Sequence, residues 1–336
     1  MGVELALLLL IAVVVLALVF DFINGFHDAA NAIATVVATR ALSARTAVIY
    51  GATLNFVGAL LGTEVAATIG KGLVSQEMVT MPIVICTLIG AIGWNLFTWW
   101  KGLPSSSSHA LIGSLLGAAF FGTMAGSENV QWDNVVDKVV KPMLFSPLAG
   151  FAAAFIFMFA LTWAVHRMPL KRINKVFSKL QIVSAGIMAL SHGHNDAQKS
   201  MGIIALALVI YQPQEGFSVP LWVILSCAIA MALGTMMGGW RIIRTLGTKM
   251  LTLRPIHGFA AETTSAALIM GASQFGIPLS TTQVITSTIM GVGATKRLSA
   301  VRWPVVAQIV WAWLLTLPVT FAISGALAYG VMSFSR

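Results

Sequence analysis

Two short polar runs hold the side chains best suited to chemistry. One is Asn24-Gly25-Phe26-His27-Asp28-Ala29-Ala30-Asn31, and the other is His192-Gly193-His194-Asn195-Asp196-Ala197-Gln198-Lys199. Each joins a Gly to an Asp flanked by Asn and His, inside a long apolar stretch. A carboxylate in such a place can carry H⁺, bind Na⁺, or accept a proton from a protonated oxyanion. Gly25, Asp28 and Ala29 match Gly193, Asp196 and Ala197 at an offset of 168. A charge at the bilayer centre costs on the order of 3 kcal/mol, so each Asp is expected to face a cavity or a partner. The Gly of each knot is expected to break its helix. The Asp would then cap the next segment, whose free amides attract an anion. A purely structural cap is the plain alternative.

A second pair of runs follows prolines. Ser105, Ser106, Ser107 and Ser108 follow Pro104, and Ser280, Thr281 and Thr282 come shortly after Pro278, at an offset of 174. Hydroxyls donate to oxyanion oxygens, and amides at a helix start add further donors. Capping and close helix packing are the rival uses of such residues. Many donors converging on paired carboxylates suit a tetrahedral oxyanion. Protonated phosphate can give an Asp its proton, which fully ionised sulfate lacks.

The remaining interior polar residues are candidates for the coupling ion. Lys199 stands where the first knot has Asn31. Asn offers a carbonyl oxygen to a cation, whereas Lys is itself one. Lys199 is therefore read as filling by charge what Na⁺ would fill elsewhere, against the alternative of pairing with Asp196 or snorkelling. The His-x-His of His192 and His194 lacks a completing Cys or acid cluster, so a zinc-type site is not read. A proton relay or a hydrogen-bonded structural role is read for His27, His192 and His194, with His27 and His194 put forward as coupling-ion candidates. Glu64 and Glu262, beside threonines, are further candidates, with a hydrogen-bonded structural role equally open. Asp21, in the first half only, ranks lower. Na⁺ is the one metal ion that Asp28, Asn31 and Asp196 suit, and no cofactor is expected.

These residues need a membrane frame. Of 336 residues, 58% are hydrophobic and 9% charged, against about 25% charged in soluble domains. Apolar runs of helix-spanning length and no strand alternation point to an all-α polytopic membrane protein. Cys86 and Cys227 sit in apolar runs and imply no disulfide framework. Taking the segments on either side of each knot as one discontinuous crossing leaves five crossings per half. With the N-terminus outside, fifteen of the twenty Lys and Arg fall in cytoplasmic loops. Lys71, Lys138, Lys141 and Arg336 fall outside, and the loop acids all fall outside too. Both termini are thus read as external. The net charge of +9 is topological, and no nucleic-acid partner is expected. Leu61-Gly62-Thr63 against Leu233-Gly234-Thr235 adds a third match in order. The fold read from this is two inverted-topology repeats with discontinuous helices or re-entrant hairpins. Residues 1–165 form the first repeat, 166–179 a basic cytoplasmic linker, and 180–336 the second.

At the doubled knot the chain resembles the inorganic phosphate transporter family known as PiT, which carries a Gly-x-Asn-Asp-x-x-Asn-Ala type signature once in each half. The first copy here runs Gly25 to Ala32 and the second Gly193 to Ser200. The resemblance implies a phosphate symporter driven by H⁺ or Na⁺, with Asp28, Asn31, Asn195 and Asp196 in the substrate and ion site. The chain departs from the signature at His27, Lys199 and Ser200, which tells against two symmetric Na⁺ sites. It also lacks the large central loop of many eukaryotic members, which suggests a compact prokaryotic form.

The expected function is phosphate import by H⁺ (or Na⁺) symport, with alternating access around a mid-membrane site. Sulfate carriage on the same scaffold and an ion channel are the rivals. An enzyme is not expected, since no nucleophile–base set is recognisable. The expected partners are phosphate, the cation and the lipid of the cell (inner) membrane, and a homodimer is compatible with the pattern.

Overall fold

A computed structural model describes residues 3–123 and 126–334; Arg336, assigned above to the outer side, lies outside them. The described residues form thirteen α-helices. In the first half these are α1 (Val3–Ala38), α2 (Ala44–Ala59), α3 (Glu64–Lys71), α4 (Met81–Lys101), α5 (Ser107–Phe121), α6 (Trp132–Val135) and α7 (Lys141–Ala164). In the second half they are α8 (Leu170–Tyr211), α9 (Leu221–Met237), α10 (Trp240–Arg244), α11 (Pro255–Gln274), α12 (Thr281–Ala294) and α13 (Trp303–Phe334). A π-turn joins α6 to α7, and another extends α10 to Lys249.

The knots do not break their helices. α1 and α8 run unbroken through Gly25 and Gly193, so Asp28 and Asp196 are mid-helix residues and not caps. The glycines serve close approach instead. A Cβ on Gly25 would strike the Met231 carbonyl of α9, and one on Gly193 would strike the Asn55 carbonyl of α2. Small residues let backbones cross at short range in membranes.

The interruptions fall elsewhere. α2 and α3 meet at a bend of 70°, and α9 and the 240–249 helix at 58°. Two hairpins, α4–α5 and α11–α12, turn at Gly102 (φ 69°) and Gly276 (φ 65°). A left-handed residue closing a helix is a glycine's place. A proline follows each of these glycines, and then come the hydroxyl runs.

Three expectations shift in detail. Gly62 lies in the α2–α3 bend while Gly234 lies within α9. The structural counterpart of Gly234, which packs on the Phe22 carbonyl, is Gly58, which packs on the Leu190 carbonyl. Stretch 166–179, expected as a linker, already belongs to α8 from Leu170 on. The basic stretch after α9, expected as a loop, is helical to Lys249: Ile242, Ile243 and Leu246 are buried while Arg241, Arg244 and Lys249 point out. Its amphipathic pattern hides among the charges that topology demands.

The halves interlock. α1 packs on α9 and α8 on α2, while α5 packs on α13 and α12 on α7. Two apolar clusters result. The first gathers Leu10 to Phe20 of α1 and Ala197 to Ala207 of α8 with α3, α4 and α5. The second gathers Ala30 to Val36 of α1 and Ile173 to Ala189 of α8 with α11 and α12. The knots lie between them as a buried polar belt. Exposed Phe145, Leu148, Ile156 and Phe159 on α7, and Trp311 and Leu314 on α13, suit a lipid surround. Among the described residues, four helices are long and apolar enough to span a bilayer, or six if each bent pair counts as one. α8 falls outside that set because the polar residues of the belt interrupt its apolar run, and α12, at 14 residues, is too short.

Candidate functional site

The tips of the two hairpins meet the two unbroken helices. In the first half, Ser106 caps α5 by accepting from the His109 amide at 3.1 Å. Ser280 caps α12 in the same way, accepting from the Gln283 amide at 3.3 Å. The caps turn Ser107, Thr281 and Thr282 toward the aspartates, while Ser108 Oγ donates to the Leu279 carbonyl at 3.1 Å. Ser107 Oγ donates to Asp28 Oδ2 at 2.7 Å, and Thr281 Oγ1 donates to Asp196 Oδ2 at 3.0 Å. Thr282 crosses between the halves and donates to Asp28 Oδ1 at 3.3 Å. Carboxylate oxygens of Asp28 and Asp196 and a ring nitrogen of His192 lie within 4.8 Å of one another. The two knots therefore face each other, and both aspartates are buried (2% and 0% exposed).

Around Asp28 the third partner is His27, whose Nδ1 lies 2.6 Å from Oδ1. The other ring nitrogen of His27 meets Thr98 Oγ1 at 3.1 Å, and Ser105 Oγ donates to Thr98 at 2.8 Å. Asn31 Nδ2 donates to Thr282 at 2.9 Å and to Thr281 at 3.2 Å. Its carbonyl oxygen has no partner among the described residues.

Around Asp196 the pattern is charged. Lys199 is 1% exposed, so it does not snorkel. Its ammonium donates to Asp196 Oδ1, to Ser108 Oγ at 2.5 Å and to the Leu279 carbonyl at 3.3 Å. The histidine here is His192, with Nε2 3.1 Å from Asp196 Oδ2 and Nδ1 3.2 Å from Asn55 Oδ1. From sequence His192 is read only as a relay or structural residue and is not among the predicted site residues. Its spacing of four residues before Asp196 was the available signal, since i and i+4 share a helix face.

Other candidates lie off the belt. His194 meets Gln198 Nε2 at 3.2 Å and the neighbourhood of Gly62, away from both aspartates. Asn195 donates to Ser273 of α11 at 2.7 Å. Glu64 is exposed at the start of α3 and lines a cleft of about 620 Å³ with Lys71, Gln131, Asn134, Lys138 and Gly276. Glu262 is buried within the second apolar cluster, and it accepts from Thr35, Ser184 and, at 3.1 Å, Gln181 Nε2. Thr35 lies seven residues beyond Asp28, about 10 Å along the helix axis at 1.5 Å per residue.

A polar belt held between two apolar seals, in a chain of bilayer-length helices, suits a membrane transporter. The profile of the phosphate transporter family matches residues 24–172 and again 166–324. The chain is 48% identical to a "Probable low-affinity inorganic phosphate transporter" of Mycobacterium tuberculosis strain H37Rv, covering 98% of this chain and 79% of the relative. The identically described protein of Bacillus subtilis strain 168 is 43% identical, covering 98% and 99%. A solved structure described as "The sodium-dependent phosphate transporter" superposes with a TM-score of 0.86 at 25% identity, covering 98% and 100%. The chain belongs to the phosphate transporter family, the one its doubled motif resembles. It is a multi-pass membrane protein of the inorganic phosphate transporters and not an enzyme, and the double profile match agrees with internal repeats.

Proposed function

We propose that the chain imports phosphate across the cell membrane in symport with protons, by alternating access around the polar belt. The observation that carries this reading is the convergence of two capped helix N-termini, with Ser107, Thr281 and Thr282, on the facing pair Asp28 and Asp196, beside which Ser108 meets the Lys199 ammonium. The first amides of α5 and α12 have no intrahelical acceptor and favour an anion. The hydroxyls add donors, and the carboxylates accept the O–H groups that phosphate keeps near neutral pH. Sulfate has no O–H to offer them. Seals on both sides of the belt match an occluded carrier.

Proton coupling follows from Lys199. Its ammonium is surrounded by a carboxylate, a hydroxyl and a carbonyl, the oxygen types that hold Na⁺. The matching positions around Asn31, which takes the place of Lys199, are at the repeat offsets Asp28, Ser105 and, from the second half, Thr282. A tethered cation thus fills one of two equivalent seats, which leaves at most one for Na⁺. The orientation with both termini outside, and the division at 166–179, rest on the placement of Lys and Arg.

Uptake of radiolabelled phosphate into proteoliposomes under separately imposed pH and Na⁺ gradients tests the reading. Accumulation is expected to follow the pH gradient, to saturate, and to yield to arsenate but not to sulfate. Accumulation driven by Na⁺ with two ions per phosphate would defeat the coupling assignment. Equal competition by sulfate would defeat the substrate, and a flux that never saturates would favour a channel.

A further inference from the structure

Asp21 lies on α1 seven residues before Asp28, two helical turns away on the same face. It is fully buried, and neither carboxyl oxygen has a hydrogen-bond partner among the described residues. The Ser200 hydroxyl of α8 faces it, close enough to act on the carboxyl but outside good hydrogen-bond geometry. Cys227 of α9 lies on another side, and Asp196 and Lys199 are the charged groups that act on it. The contrast with Glu262 is direct: three donors satisfy that acid in the other seal. An ionised carboxylate with no donor in an apolar surround is costly, whereas a neutral acid is accommodated there.

Asp21 also sits within the first seal. Val13, Ala17 and Phe20 precede it on α1, and Met201 and Met231 close the same cluster. Alternating access requires this seal to part. Parting admits water to Asp21 and makes the ionised form tolerable, and closing expels it. Closure of the seal and protonation of Asp21 are then two faces of one equilibrium.

We propose that Asp21 is the seat of the co-transported proton, a role that rests on the symport reading above. Its carboxylate takes a proton from water when the first seal is open, and the seal closes on the neutral acid. When the belt opens to the other side and phosphate leaves, the acid loses the proton to water entering the belt. That path runs past the Ser200 hydroxyl, one turn of α8 from Asp196. Asp28 and Asp196 remain free to hold the anion.

The test is Asp21→Asn in the full chain, reconstituted in proteoliposomes. Two fluxes are read: accumulation under an imposed pH gradient, and exchange of labelled for unlabelled phosphate at equal concentrations and equal pH. The neutral amide should leave exchange at the wild-type rate while accumulation falls to the equilibrium level, and Asp21→Glu should restore accumulation. Wild-type accumulation in Asp21→Asn overturns the proposal. So does loss of exchange together with accumulation, which would make Asp21 part of the scaffold. Failure of the wild type to take up phosphate at all would strike the functional reading and not this residue.

Discussion

The two knots share a backbone plan and differ in where they put charge. Each Asp accepts from the first hydroxyl after a hairpin cap, Ser107 on one side and Thr281 on the other. Each also has one histidine, but from different positions. The first half has Asn24 four residues before Asp28 and His27 just before it; the second has His192 four before Asp196 and Asn195 just before it. The same two positions carry exchanged residues. At the third position Asn31 faces Lys199. The two halves keep alike the hairpin tips, with their caps and hydroxyls, and differ in their ionic equipment. On the proposed function, the halves would share the substrate geometry and differ in what they give to coupling.

The largest expected effects come from removing the aspartates. Asp28→Asn and Asp196→Asn should each abolish phosphate uptake. Their stabilities should differ. Asp196→Asn strips Lys199 of its carboxylate while the ammonium stays buried, which costs about 3–5 kcal/mol. Asp28→Asn leaves no ammonium stranded, since its knot holds Asn31 where the other holds Lys199. Thermal unfolding in detergent reads the difference, and the double variant Asp196→Asn, Lys199→Met should recover stability but not uptake. Equal destabilisation by the two single variants would erase the distinction between the knots.

Much of this was legible in the chain. Charge per apolar segment gave the membrane class, and the repeated Asp and hydroxyl runs gave the belt. What was misread shares a physical cause: position within a helix. Gly25 and Gly193 look like breaks, because a glycine that permits a close crossing is written the same way as one that ends a helix. Only the partner backbone, at Met231 and Asn55, tells them apart. His194 was preferred to His192 for the same reason, since a broken helix hides the i, i+4 relation to Asp196. Glu64 read as an interior acid because the 70° bend that takes it to the surface leaves little mark on composition. The bareness of Asp21 depends on what three helices fail to bring near it, and no local pattern encodes that.

Lys199→Asn should give the next largest change. It copies the first knot into the second and vacates the cage of Asp196, Ser108 and the Leu279 carbonyl. Phosphate uptake should become Na⁺-stimulated where the wild type is indifferent. An active variant that ignores Na⁺ would show that the ammonium serves only to pair Asp196. Smaller still is the split between the neighbouring histidines. His192→Ala removes the contact that orients Asp196 toward Thr281 and should raise the phosphate concentration for half-maximal uptake. His194→Ala, off the belt, should leave it unchanged. A larger effect from His194 would return the second site to the His-x-His reading.

The smallest effects should be the most symmetric. Ser106→Ala and Ser280→Ala each delete a cap bond, to the His109 and Gln283 amides. Loss of a serine cap costs about 1 kcal/mol. Because the caps occupy matching places on α5 and α12, the two losses in unfolding stability should agree. Uptake should persist with weakened phosphate affinity, since a frayed first turn aims its amides and Ser107 or Thr281 less well. Matching losses here beside unequal ones at Asp28 and Asp196 are the signature of halves alike in backbone and unlike in charge. If the caps themselves differ widely, the asymmetry lies deeper than Lys199, in the hairpins that hold the anion.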